Sequence, residues 1–392
     1  YIIFVSHNPS FIKTVLPVIE LLLHQNKKPL LLCAANNYNK LKGLLPASIF
    51  ERLYICENIK LPYKAGFFRL FKILLLAIKD SIWFGTRNIR HSTLLSSNFL
   101  RYAVLHYYFS NGLTKILSKQ HCIISAVDYW IWESILFTTA REIAAETIVL
   151  QHGKLTDLYY PIFAKKFYAW GKADYLEMTK KYNAHPNEIV KAGCPYFDSI
   201  YNRLNQTRII KQNELNNQIT FYAQPWGNTI SFAPELYNDV LQWLNKLKLK
   251  WPQYNIVLKL HPFDRPEYYQ LNAAGIEIVK HDLIKSLSKS IIALTVDSSC
   301  AMEASVLKVP MIQCLPIGQN VFSDMSQTGL TLKAQNESEL FILVDKLLNN
   351  KAFYEQTIYA SAKALDFYFY NLGHSLEKIA ELLKLDEHSP KT

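Results

Sequence analysis

Ile256-Val257-Leu258-Lys259-Leu260-His261-Pro262 is an apolar run that stops at a polar pair. Further along, Ile291-Ile292-Ala293-Leu294-Thr295-Val296-Asp297-Ser298-Ser299 does the same. Short, nearly continuous apolar runs read as parallel strands buried on both faces. A run that stops at polar residues puts them at the carboxyl edge of the sheet, where open α/β sheets take their ligands. An imidazole, adjacent hydroxyls and the backbone N–H groups of a helix start make up the chemistry of a phosphate site. Lys259 lies two residues before His261 and shares its face in a regular strand. Pro262 ends the strand and fixes the turn.

Outward from this pair, short apolar runs alternate with helix-like stretches in both directions. Strands are predicted at 1–6, 29–34, 122–128, 147–150, 166–171 and 189–193, with helices over 10–25 and 130–145. An Asn/Gln-rich stretch over 203–217 reads as a linker. Beyond it, strands are predicted at 219–223, 255–260, 276–279, 290–296 and 310–314, then helices over 338–350 and 352–386. This alternation implies two parallel-sheet α/β domains, which suits a chain of 392 residues, half of them hydrophobic. The chain opens at once on a strand with no signal peptide, and its six cysteines are scattered without a CxxC pair. They read as reduced thiols of a cytoplasmic protein.

The net charge of +11 favours nucleic acid, an anionic membrane surface or acidic substrates. No helix-turn-helix, zinc or RNP-type signature is present, so nucleic acid is not an expected partner. No uncharged apolar run reaches the roughly 18 residues of a membrane span. The segment 67–90 stands apart. At about 100° per residue, Arg69, Lys72, Lys79, Asp80, Arg87 and Arg90 fall within about 100° of one another, and the remaining surface is Phe, Leu, Ile and Trp. Arg69, Lys72, Lys79 and Arg87 then contact an anionic membrane. The other reading is a helix buried in the first domain with a solvated charged edge.

Several further residues sit where chemistry is expected. His152, in Gln151-His152-Gly153 after the strand 147–150, is placed as a general base of near-neutral pKa or as a structural turn histidine. Asp128, also at a strand end, is a rival base or a helix N-cap. His7 closes the first strand, in a loop that borders the reacting groups or merely starts a helix. Gln224 closes the first strand of the second domain and is expected to line its ligand side. Ser298 and Ser299 start a serine-capped helix, and Glu303 one turn inside either completes a capping box or, by resemblance to many GT-B enzymes with a Glu there, binds ribose hydroxyls. No metal motif is present in the right context. His185-Pro186 reads as a surface turn before a strand.

At this point the chain resembles a known group. Lys-x-His-Pro (259–262) followed by Asp-Ser-Ser (297–299) is similar to the donor-site pair of bacterial GT-B enzymes that use cytidine-activated donors. These are the capsular polysialyltransferases, the sialyltransferases and the Kdo transferases of capsule and O-antigen synthesis. Teichoic-acid glycerol- and ribitol-phosphate polymerases carry a similar pair. Gln151-His152-Gly153 resembles the QHG element of the Kdo-type proteins, and it stands where sialyltransferases carry two acids and a glycine. Both acids are absent here, which makes His152 the substitute. The spacing Trp170-Gly171, Gly193-x-Pro195, Asp198 is also similar to these families. The first 120 residues match no family.

The resemblance implies a GT-B fold, two Rossmann-like domains facing a central cleft. Residues 1–202 form the acceptor-binding domain with the membrane-contact helix 67–90, 203–217 the linker, 218–370 the donor-binding domain, and 371–392 a C-terminal helix and tail. The implied activity is transfer of Kdo, sialic acid or a related nonulosonate from a CMP-sugar, without a cofactor, to a glycan or glycolipid acceptor at the inner membrane. His261, Ser298 and Ser299 hold the CMP phosphate, with Lys259 and Pro262 beside them. The rivals are a CDP-glycerol or CDP-ribitol transferase, a UDP-sugar transferase or UDP-GlcNAc 2-epimerase-like enzyme, and a non-catalytic scaffold of the same fold.

Overall fold

The computed structural model describes residues 1–5, 11–33, 38–51, 54–56, 67–86, 97–155, 159–207, 217–224, 234–261, 264, 266–267, 269, 275–280, 282–318 and 324–385. The chain divides into two units. One is Tyr1–Asp198 with Tyr370–Thr392, and the other is Ser199–Phe369.

The first unit runs β1 (Ile2–Val5), α1 (Ile12–His24), β2 (Leu30–Cys33), α2 (Tyr38–Leu44), α3 (Ala47–Phe50), β3 (Tyr54–Cys56), α4 (Phe67–Thr86), α5 (Ser97–Leu113), β4 (Cys122–Ser125), α6 (Ile131–Glu142), β5 (Glu146–Leu150), β6 (Lys166–Ala169), α7 (Lys172–Leu176), β7 (Ile189–Lys191) and α8 (Pro195–Thr207). Its seven strands lie in the order β3-β2-β1-β4-β5-β6-β7, all parallel. Strand residues alternate between two cores. Ile2, Phe4, Ile123 and Val149 face one side with α6. Ile3, Ile124, Ile148 and Leu150 face the other with α1. Burial of both faces is why these strands are apolar throughout.

The second unit continues with β8 (Gln218–Tyr222), α9 (Pro234–Lys250), β9 (Asn255–Lys259), β10 (Glu277–Val279), α10 (Leu283–Leu287), β11 (Ser290–Thr295), α11 (Cys300–Val306), β12 (Met311–Cys314), β13 (Leu332–Ala334), α12 (Glu337–Asn349) and α13 (Lys351–Tyr368). Its six parallel strands lie in the order β10-β9-β8-β11-β12-β13. Both orders reverse at the first strand of their unit, the topology of a Rossmann-like sheet.

The single helix expected over 352–386 is two. Helix α13 ends at Tyr368, and α14 (Ser375–Leu382) starts after a break with Asn371 and Gly373 at positive φ. The break returns the chain to the first unit, where Ile379, Leu383 and Leu385 pack with Ile12, Val15 and Ile19 of α1. Asp198 fixes the return. Its carboxylate accepts from the backbone N–H of Gly373 and Ser375 at 2.7 and 2.6 Å, and from the Ser375 hydroxyl. The Ser375 hydroxyl accepts in turn from the N–H of Cys194. Gly193, at φ +82°, lies so close that a Cβ would meet Ser375 Oγ at 2.2 Å and the Tyr370 carbonyl at 2.3 Å. Residues 203–207 of the expected linker continue α8, and 208–216 lie outside the described residues.

Candidate functional site

The second unit gathers polar groups where its strand order reverses. Tyr222 of β8 is level with Lys259 of β9 on one side and with Thr295 of β11 on the other. Two residues beyond this row the three adjacent strands present Gln224, His261 and Asp297. The Gln224 amide spans the reversal, its Nε2 donating to the Asp297 carbonyl at 2.8 Å and its Oε1 accepting from the Asp297 N–H at 3.0 Å. Gln224, expected to line the ligand side, fastens with its amide the loop that carries Ser298 and Ser299.

That loop is further shaped by Thr295, whose hydroxyl donates to the Tyr222 carbonyl and accepts from the Ser298 N–H. The expected serine cap takes another form. Ser299 holds the N-cap position of α11 in a helical conformation and makes no side-chain cap bond. The Ser298 hydroxyl accepts from the Cys300 N–H at 3.3 Å. Lys259 is buried and donates from Nζ to the Leu260 carbonyl at 3.0 Å. Burial lowers its pKa, while Cys300 and Asp282 oppose the shift. The pKa of His261 is lowered by burial and then by the Lys259 charge.

Glu303 projects from α11 into a fully buried setting that pushes its carboxyl up to about 7, and among the described residues Oε2 has no hydrogen-bond partner. Cys300 lies within electrostatic range of both Glu303 and Lys259, so these three form one buried group beside the edge. Sequence reasoning missed two supports. The Tyr269 hydroxyl donates to Asp264 at 2.5 Å and lies 3.4 Å from the Gln224 carbonyl, tying these two residues to the end of β8. No periodicity marks such a pair. Pro262 lies outside the described residues.

The first unit holds a separate constellation at the ends of β4 and β5. His152 Nδ1 lies 3.1 Å from the Ala126 carbonyl and 2.7 Å from the Tyr159 hydroxyl. With the proton on Nδ1 the ring donates to the Ala126 carbonyl and Nε2 is the basic atom; with the proton on Nε2, Nδ1 accepts from the Tyr159 hydroxyl. Phe11, Tyr129 and Tyr159 surround the ring. Their burial of it lowers the imidazole to about 4, below the near-neutral value expected. The ring is therefore neutral at physiological pH and a weak base until a substrate supplies a favourable charge.

Gln151 beside it is a tie rather than a ligand group. It accepts from Trp170 N–H, donates to Asp174 at 2.9 Å, and its carbonyl accepts from the Trp170 indole. Asp128 is neither a cap nor accessible. Trp130 holds the N-cap of α6, and the fully buried Asp128 accepts from the N–H groups of Phe163 and Ala164 at 2.7 and 3.2 Å. Burial pushes both Asp128 and Asp174 up to about 7. His7 lies outside the described residues. His185 caps the short turn Pro186–Glu188 before β7, as its sequence setting indicated. Among the described residues no group of three His, Cys, Asp or Glu is placed to hold a metal.

No family model matches the chain, and no curated protein matches it in sequence. The likeness lies in solved structures. A UDP-GlcNAc 2-epimerase from Neisseria meningitidis, solved bound to UDP-GlcNAc, has a TM-score of 0.59 at 16% identity, with 98% of this chain and 99% of that one covered. A UDP-GlcNAc 2-epimerase from Methanocaldococcus jannaschii, in complex with UDP-GlcNAc and UDP, gives 0.59 at 14% identity, with 98% and 99% covered. A glycosyltransferase from Rickettsia africae gives 0.52 at 14% identity, with 99% and 98% covered. At these identities the likeness is one of fold. The fold is GT-B, with two Rossmann-like units.

Proposed function

We propose that this protein is a sugar-nucleotide enzyme, a glycosyltransferase whose second unit binds the donor nucleotide at the β9-β8-β11 edge. The observation that carries the reading is the convergence of Lys259, His261 and Ser298 on adjacent strand ends at the order reversal, with the loop held by Gln224. In this reading His261 and the serine hydroxyls donate to the departing phosphate, Lys259 supplies positive charge behind them, and Glu303 accepts from the ribose hydroxyls. In the first unit, His152 is the base that takes the proton of an acceptor hydroxyl. The donor is a cytidine-activated sugar acid of the Kdo or sialic type, and the product a bacterial surface glycan. Support for cytidine comes from the resemblance of the Lys-x-His-Pro and Asp-Ser-Ser pair.

A second reading is favoured by the UDP-GlcNAc carried by two of the similar structures. There the same edge takes a uridine nucleotide. Thermal shift with CMP, CDP, UMP, UDP and GDP separates the two. A ligand at about 100 times its Kd adds roughly 2.7 kcal/mol. Stabilisation by CMP or CDP that disappears in His261→Ala is the expected result. Stabilisation by UDP alone transfers the reading to a UDP-sugar enzyme, and no response to any nucleotide overturns both.

A further inference from the structure

Helix α4 presents its apolar side to solvent. Phe71, Leu74, Leu75, Ile78 and Ile82 are between 50% (Leu75, Ile78) and 64% (Ile82) exposed. At about 100° per residue they form one stripe about 100° wide. The opposite side packs against α5, where Ile73 is buried and Asp80 meets His106 Nδ1 at 2.9 Å in a buried pair. Asp80 was expected among the solvated charges, and the helix was alternatively expected to hide its apolar side. Both expectations fail for one reason: the Asp80–His106 pair turns the polar face inward. Lys72 and Lys79 stand together along one edge of the stripe, both exposed, with Lys79 paired to Glu142 at 2.5 Å. The side chain of Arg69, and Arg87 altogether, lie outside the described residues.

We infer that this stripe lies flat on an anionic bilayer surface, its five apolar side chains among the acyl chains and its lysines at the headgroups. Charge decides between a bilayer and a second copy of the chain. A second copy brings together two molecules of net charge +11, whereas an anionic surface brings the complementary sign. Crossing is not at issue, because among the described residues no helix is long and apolar enough. The stripe spans about 16 Å along the helix, the size of an interfacial anchor. Nothing in this inference depends on which nucleotide the second unit takes.

The test is flotation of the full chain with phosphatidylcholine vesicles, with and without about 30% phosphatidylglycerol. The wild type is expected to float with the anionic vesicles and to do so less as salt rises. Leu75→Gln/Ile78→Gln is expected to lose at least about tenfold in binding, with its melting temperature and nucleotide response unchanged. Ile317→Gln, an exposed apolar residue of the second unit, is expected to bind as the wild type does. The inference is overturned if the wild type stays with the protein pellet, if the double variant floats equally well, or if the stripe instead supports a dimer that the double variant dissolves.

Discussion

At the scale of single residues, the buried acids hold most of what can be checked. Asp174 accepts a hydrogen bond from Gln151, among the described residues its Oδ2 has no side-chain partner, and burial raises it from 3.8 to about 7. The folded protein therefore keeps a proton between those values that the unfolded chain gives up. Its stability contribution is complete below about 4 and is lost as pH rises through 7. Asp128 and Glu303 act with the same sign, and His152 with the opposite one. Comparing Asp174→Asn with wild type cancels those other groups. Melting curves between pH 4.5 and 8 are expected to show the variant gaining over wild type with rising pH, by at most a few kcal/mol at about 1.4 per pKa unit. A difference that stays flat with pH would mean that Asp174 is ionised throughout.

At the scale of elements, the amide of Gln224 joins β8 to β11 across the strand reversal. Gln224→Glu keeps the acceptor toward the Asp297 N–H and turns a carboxylate oxygen toward the Asp297 carbonyl. The expected cost is about 1–3 kcal/mol. It should be visible as a lower melting temperature without ligand, together with weaker nucleotide binding. Were Gln224 a direct nucleotide contact, affinity would fall while the free protein melted unchanged. What was legible at this scale was the set of strands and their ends. A strand buried on both faces must be apolar and must stop where it meets solvent, so β9 and β11 announced His261 and Ser298 in one dimension. The direction in which a side chain is spent was not legible. Gln224, Gln151 and Asp128 all sit at strand ends like ligand residues, yet their partners, Asp297, Trp170 and Phe163, come from other strands and loops. The inward turn of Asp80 was illegible for the same reason, since the His106 that claims it belongs to a separate helix.

At the scale of the whole molecule, the first unit is made of two stretches of chain with the second unit between them. Asp198 and Gly193 receive the returning segment, so its removal should be felt on one side only. Deleting residues 370–392 takes three donors from the Asp198 carboxylate and strips Ile379, Leu383 and Leu385 from α1. Calorimetry of that truncation is expected to show the first unit melting at lower temperature and the second unit, with its nucleotide response, unmoved. Equal loss in both would make the returning helix a general stabiliser. The same topology bears on synthesis. A ribosome delivers every strand of the first sheet before β8, yet the side of α1 that awaits residues 379–385 stays uncovered until the second unit has been translated. During that interval the nascent chain carries an open apolar face, and the unit begun first is completed last.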